Sequence, residues 1–330
     1  MRVEQSYSSS SASTAPGDPA RPAPLFVVVN PGSGAQDAAQ TREVLASLFT
    51  GAGRRTEFFN VDSHTTLAQA CDSAGAKARL HDGILVAAGG DGTVNTAAQA
   101  ALHHGCPLGL IPQGTFNYVA RDQGIPVEVQ AAAQALLRAR PCPVQTGRVN
   151  NQVFLVNASL GLYPRLLEDR EAFNARFGRT PWAAVISGLG TVLRWRRQMT
   201  LDIDLDGRHT VLRAPTLFVA NNRLQLERIG VDTAVAEDLR QGRLAGLVPK
   251  PLGNWSMLGL AVRGALGRLD EADEVRCFSF QQLDLRVRGR RRIKVATDGE
   301  VRVMDPPLRF SVAQPLQMMI PAEPDRASRE

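Results

Sequence analysis

The chain has 330 residues, a formal net charge of +6 and a pI of about 9.6. That length is enough for two domains with ample cores, and the basic balance favours anionic partners: a nucleotide, nucleic acid or an acidic membrane surface. Aromatics at 5% do not support a single-strand stacking platform. The scattered Cys71, Cys106, Cys142 and Cys277 make no C-x-x-C pair, which disfavours zinc and a disulfide framework and fits a reducing compartment, and no apolar run nears the ~20 residues of a spanning helix.

Residues 1–23 are rich in Ser, Pro and Ala and carry no apolar core of a secretory signal, so they read as a disordered tail. Leu25 to Asn30 then reads as a buried strand ending in the glycine turn NPGSG (Asn30 to Gly34). A helix follows from Asp37 to Phe49, a strand from Arg55 to Val61, and a helix from Thr65 to Ala78 opened by a threonine cap.

The next stretch, GILVAAGGDGTVN (Gly83 to Asn95), organises the chain. Ile84 to Ala88 is a short apolar run between glycines, the signature of a strand buried on both faces. After Asn95 the alanine-rich TAAQAALHH reads as helix, closed by Gly105. Strand, glycine turn and helix together aim free backbone N–H groups and a helix N-terminus at one point, which suits a phosphate. No Gly-Lys-Ser/Thr follows, so this is not a Walker A loop, and G-x-G-x-x-G is absent too. Asp91 among the glycines would repel a phosphate unless a cation lay between, so an Mg-nucleotide is the natural ligand; a plain turn with Asp91 and Thr93 as helix caps is the structural alternative.

Pro107 to Pro112 reads as a fourth strand ending in QGTFN (Gln113 to Asn117), and Val129 to Arg138 as helix. Strand and helix alternate, which predicts a parallel α/β sheet with all three glycine turns at the carboxyl edge, where such sheets bind ligands. Beyond Gly147 the pattern changes. Asn150-Asn151 reads as a turn, Pro181 to Arg197 as an amphipathic helix, and MTLDIDL-DG-TVLRAPTLFVA as a hairpin about Asp206-Gly207. Short strands continue from Cys277 to Ile320. The expected division is a 24–147 α/β nucleotide domain, a 148–320 mainly antiparallel β-sandwich with helical insertions, and a 321–330 tail.

The ordered set NPGSG, GGDGTVN, IPQGTFNYVARDQGIP and ATDGE resembles the diacylglycerol kinase catalytic-domain family, which includes bacterial soluble lipid kinases and sphingosine kinases and is more distantly related to NAD kinases. The resemblance implies ATP and Mg²⁺ as cofactors and transfer of the γ-phosphate to a lipid hydroxyl, as in diacylglycerol or a sphingoid base. It implies that Asn30, Gly89, Gly90, Asp91, Gly92, Thr93, Val94, Asn95 and Thr115 contact the nucleotide. Asp91 would serve the metal or, as in some members, the base. Glu300 would be the general base, with Asp298 beside it. Taken alone, Asp298-Gly299-Glu300 is a hairpin turn, and the two roles are compatible.

Two positions depart from the family pattern. Tyr118 follows Asn117 where many members have Asp, and Gln241-Gly242 stands where many bacterial members have a magnesium-binding Asp-Gly, so that site is not carried over; Glu237 and Asp238 lie nearby. The arginines of residues 194–197 and the segment Gly289 to Lys294 are candidates for contact with a lipid surface, and equally for a solvated helix end and a charged hairpin edge. The five histidines have no ligand spacing with cysteine or acid, and His103 and His104 sit at a helix C-terminus. The expected setting is cytoplasmic, with peripheral contact at the inner membrane face and no nucleic acid partner. Acceptor and oligomeric state are left open, and a soluble-substrate kinase or a degenerate non-catalytic binding protein are the alternatives.

Overall fold

The computed structural model describes residues 22–31, 38–162, 164, 198–229, 233–250 and 275–322. The helix expected at Pro181 to Arg197, most of the amino-terminal tail, and Gly32 to Gly34 of the first glycine turn lie outside the described residues.

The first half alternates strand and helix as its sequence pattern requires: β1 (Leu25–Val29), α1 (Ala38–Gly51), β2 (Thr56–Asn60), α2 (Leu67–Leu80), β3 (Ile84–Gly89), α3 (Asp91–His104), β4 (Leu108–Pro112), the short α4 (Tyr118–Asp122) and α5 (Val129–Leu137). Strands β1, β3 and β4 are buried at every position, because helices cover both sides of a parallel sheet. Each fully buried Leu, Val or Ile there contributes about 1.5–3 kcal/mol. Thr66 and Gln69 form a reciprocal capping box that starts α2. Gly105, at φ +67°, ends α3 in the left-handed region. The alanines of α3 (Ala97, Ala98, Ala100, Ala101) are buried, and their small side chains let this helix lie close to its neighbours.

The sheet order is β2-β1-β3-β4-β18-β5, where β5 is Arg140–Val144 and β18 is Leu316–Ile320. LQMMI, read from the sequence as the last strand of the second half, therefore returns to the first sheet. It runs parallel to β4 and antiparallel to β5, and buries Leu316, Met318 and Met319 in the core of the α/β part. Sequence alone assigns a strand to its neighbours in the chain; here burial beside β4 decided. Pro141 and Pro143 argue against a strand, yet β5 forms because it lies at a sheet edge, where missing N–H donors do no harm.

The remaining strands form two antiparallel sheets. One has β10 (Arg208–Ala214), β9 (Met199–Leu205), β14 (Gln282–Val287), β17 (Leu308–Val312), β6 (Gly147–Val149) and β7 (Gln152–Phe154) in that order. The other has β13 (Val275–Phe280), β12 (Leu244–Pro249), β11 (Thr216–Ala220), β8 (Asn157–Gly161), β15 (Ile293–Thr297) and β16 (Glu300–Met304). One apolar core draws on both, with Phe154, Ile203, Leu285 and Phe310 from the first and Leu160, Leu217, Phe280 and Val295 from the second. Helices α6 (Arg223–Ile229) and α7 (Thr233–Arg240) sit by β11 and β12 around Leu226, Leu239 and Leu247. The hairpin at Asp206-Gly207 is present, with both residues at positive φ and Leu205 opposite Arg208. Among the described residues no helix is long and apolar enough to cross a membrane.

Candidate active site at the glycine turns

The strand ends of the parallel sheet bring the glycine turns together by direct bonds. Asn30 N–H donates to Ala88 O at 3.0 Å, and Gln113 N–H donates to Gly89 O at 2.9 Å. The Asn30 side chain donates to Thr93 Oγ1 at 2.8 Å, so Thr93, almost fully buried, orients the residue that opens the first turn. The second and third turns touch backbone to backbone: a Cβ on Gly114 would lie 2.8 Å from Gly90 Cα. Neither chain could yield, so glycine is required there by close approach. Asn117, at φ +49°, shapes the third turn by accepting from Gly114 N–H at 2.9 Å and donating to Gly114 O at 2.8 Å. Thr115, expected at the nucleotide, is exposed, and the residue that shapes the turn is Asn117.

The three acids have different surroundings. Asp91, the first residue of α3, is half-buried, and its carboxyl is pushed up by burial and held down by the backbone N–H groups of Val119, Tyr118 and Asn117. It thus faces the start of α4.

Asp298 and Gly299 are the two central residues of the β15–β16 hairpin, both at positive φ, with Thr297 opposite Glu300. The Asp298 backbone lies in the exposed turn, but its carboxylate points inward. Oδ1 accepts from Val156 and Asn157 N–H at 2.9 Å each, and Oδ2 accepts from Leu155 N–H at 2.7 Å and Asn95 Nδ2 at 2.6 Å. Burial nevertheless pushes this carboxyl up to about 6. With both oxygens taken, Asp298 is placed to hold chain segments rather than to meet an acceptor.

Glu300 opens β16, the edge strand of its sheet. A Cβ on Gly92 would lie 3.8 Å from Glu300 Oε1, so this carboxylate lies against the first turn of α3. Its other oxygen accepts from Arg302 Nη2 at 3.0 Å. The alternation of EVRVM puts residues 300 and 302 on one face, a signal present in the sequence. Asn95, expected at the nucleotide, instead donates to Asp298 and to Val153 O at 3.2 Å, while its Oδ1 accepts from Gln99. Gly89 and Val94 are buried in the sheet–helix joint, whereas Gly90 and Gly92 are partly exposed in the turn.

The departures also have places. The Tyr118 ring stacks on Phe116 at 5.6 Å and 12°, and the Arg228 guanidinium lies over it 5.6 Å from its centroid. Gln241 and Gly242 follow α7; Glu237 pairs with Arg240 at 3.2 Å and the Asp238 carboxylate is bonded to the Ser279 hydroxyl, so both nearby acids are engaged.

A parallel α/β part with converging glycine turns is faced by a carboxylate from an antiparallel β part, an arrangement that can receive a phosphate at the start of a helix. Residues 24–149 match the family model for the diacylglycerol kinase catalytic domain. It is 34% identical over 148 residues to the diacylglycerol kinase of Bacillus subtilis (strain 168), a match covering 43% of this chain and 47% of the relative. A Pseudomonas aeruginosa protein named "Probable lipid kinase YegS-like" is 47% identical over 79 residues, covering 23% of this chain and 26% of that protein. The chain thus matches less than half the length of these curated relatives. A solved structure of a diacylglycerol kinase from Bacillus anthracis strain Sterne aligns over 90% of this chain and 96% of its own, with a TM-score of 0.67 at 20% identity, a likeness that concerns the fold.

Proposed function

We propose that the protein is an ATP-dependent lipid kinase that transfers the γ-phosphate of ATP to the hydroxyl of a lipid such as diacylglycerol or a sphingoid base. The observation that carries this reading is Glu300 Oε1 lying against Gly92, because a carboxylate from the β part beside a phosphate-friendly turn of the α/β part supports a role as base. The family match of residues 24–149 and the names of the relatives support the same chemistry.

In this reading the partly exposed backbone at Gly90 and Gly92 and the start of α3 receive the nucleotide phosphates. Glu300 takes the acceptor's hydroxyl proton, the alcohol oxygen bonds to the γ-phosphorus, and the bond from that phosphorus to the β–γ bridging oxygen breaks, releasing ADP. Arg302 steadies the Glu300 carboxylate. Asp298 is a positioning residue, which revises its expected place beside the base. Asp91 and Glu300 both border the turns, and the half-buried Asp91 would hold a metal whose other positions are filled by nucleotide and water oxygens. Bound Mg²⁺ would supply charge neutralisation at the transferring phosphoryl group.

For the acceptor side, the two antiparallel sheets sharing one core form a sandwich, and the α/β unit is completed by β18 from the chain's end. A cavity of about 610 Å³ is lined by Met199, Val287 and Val303 together with Arg288, Arg290 and Lys294, a mixture that suits an amphiphile and peripheral contact with an anionic membrane. The test is labelled ATP offered with a panel of lipid alcohols and, separately, NAD, with Mg²⁺ supplied and withheld. Labelled lipid formed only with Mg²⁺ is the expected result. Labelled NADP with no labelled lipid would replace the reading by a soluble-substrate kinase, and no transfer at all by a binding protein.

A further inference from the structure

We propose that Asp72, His103 and His104 form a site for a divalent transition metal of the Zn²⁺ class, which clips α2 to α3 at the end of α3 remote from the glycine turns. One ligand atom from each of these side chains lies within 4.8 Å of the others. His104 Nε2 is 2.8 Å from Asp72 Oδ1, and the His103 and His104 rings meet edge to face with centroids 4.8 Å apart. Ligands on a tetrahedral ion with bonds of about 2.0–2.1 Å stand about 3.4 Å apart, so small side-chain rotations close this set on a metal. Chain spacing hides the group, since Asp72 comes from a different helix 32 residues before His104.

A second observation shows that the site is prepared by the packing of the two helices. Gly75 lies inside α2, where glycine is a poor helix former, and a Cβ there would meet His104 Cδ2 at 2.8 Å. The glycine therefore seats the half-buried His104 ring against α2, where it meets the exposed Asp72 and His103 side chains. The carbonyl end of α3 adds a field that favours a cation.

The donors select the metal class. Two imidazoles and one carboxylate suit Zn²⁺, Ni²⁺ or Cu²⁺ rather than Mg²⁺ or Ca²⁺, which take oxygen ligands. Three protein ligands leave a position for water. Since α3 has 14 residues, this site lies roughly 20 Å from the turn at the other end of the helix and is separate from any metal carried with a nucleotide.

The experiment is calorimetric titration of the untagged, metal-free full chain with Zn²⁺, without nucleotide, alongside His103→Ala and Asp72→Asn. Wild type is expected to bind one equivalent, each variant to lose about ten-fold or more in affinity, and Zn²⁺ to raise the melting temperature of wild type but not of His103→Ala. Co²⁺ on wild type should give the visible absorption of a tetrahedral site. His103 is exposed, so its loss spares the packing of α3, which circular dichroism of the metal-free variant checks. Absence of stoichiometric uptake, or equal affinity and equal thermal shifts in wild type and His103→Ala, overturns the proposal.

Discussion

Asn95 Nδ2 donates a 2.6 Å hydrogen bond to Asp298 Oδ2 across 203 residues of chain. Asn95 belongs to the first turns of α3, which opens on the glycine turn, and Asp298 lies two residues before Glu300. The bond thus ties the helix that would receive phosphate to the hairpin that carries the proposed base. The same carboxylate collects the amides of Leu155, Val156 and Asn157, where the chain passes from β7 to β8.

Removing either partner should loosen this junction. Asn95→Ala is expected to cost about 1.5–3 kcal/mol, the range for a hydrogen bond to a charged group. Asp298→Asn should cost about 2–4 kcal/mol, because an amide cannot accept from four donors. The two losses should be non-additive in a double-mutant cycle read by urea unfolding. Strict additivity would show that the bond does not couple the two halves.

Glu300→Gln should lower turnover by about 100- to 10,000-fold, the usual contribution of a positioned base. The fold should survive. Its pair with Arg302 is exposed on both sides, and such pairs contribute about 1 kcal/mol or less. Single-turnover transfer from labelled ATP, with thermal unfolding as the control, reads both effects; unchanged turnover removes Glu300 from the role of base.

Gly114→Ala should damage the site through the backbone. The new methyl would press on Gly90 Cα at 2.8 Å, and the two turns would have to separate. A stability loss of about 1–3 kcal/mol is expected from such overpacking, with nucleotide affinity falling further than in Thr115→Ala, whose side chain is exposed. Nucleotide titration of the two variants makes the comparison.

Acidity should act on the junction with a definite sign. The folded-state carboxyl of Asp298 lies near about 6 because of burial, above the ~3.9 of an unfolded aspartate. Between those values the folded chain holds a proton that the unfolded chain lacks. This group's contribution to stability therefore falls as pH rises from about 4 to about 6, by up to roughly 3 kcal/mol, and returns on acidification. Urea midpoints at about pH 7 and about pH 5, compared with those of Asp298→Asn, isolate it, because the variant should show a flatter pH dependence.

Much of this was legible in one dimension. Apolar runs between glycines located β1, β3 and β4, and the rule that parallel sheets gather their turns at the carboxyl edge put Asn30, Gly90 and Gly114 together. Local patterns of this kind act within a few residues, through backbone sterics and burial of a repeating face, so they survive reading as a string. The position of β18 beside β4, the inward turn of the Asp298 carboxylate, the engagement of Asn95 away from the turn, and the meeting of Asp72 with His104 depend on contacts between distant segments. Only the packed chain selects those, because each is decided by which buried donors need an acceptor and which faces are left to cover, and these are properties of neighbours in space rather than in sequence.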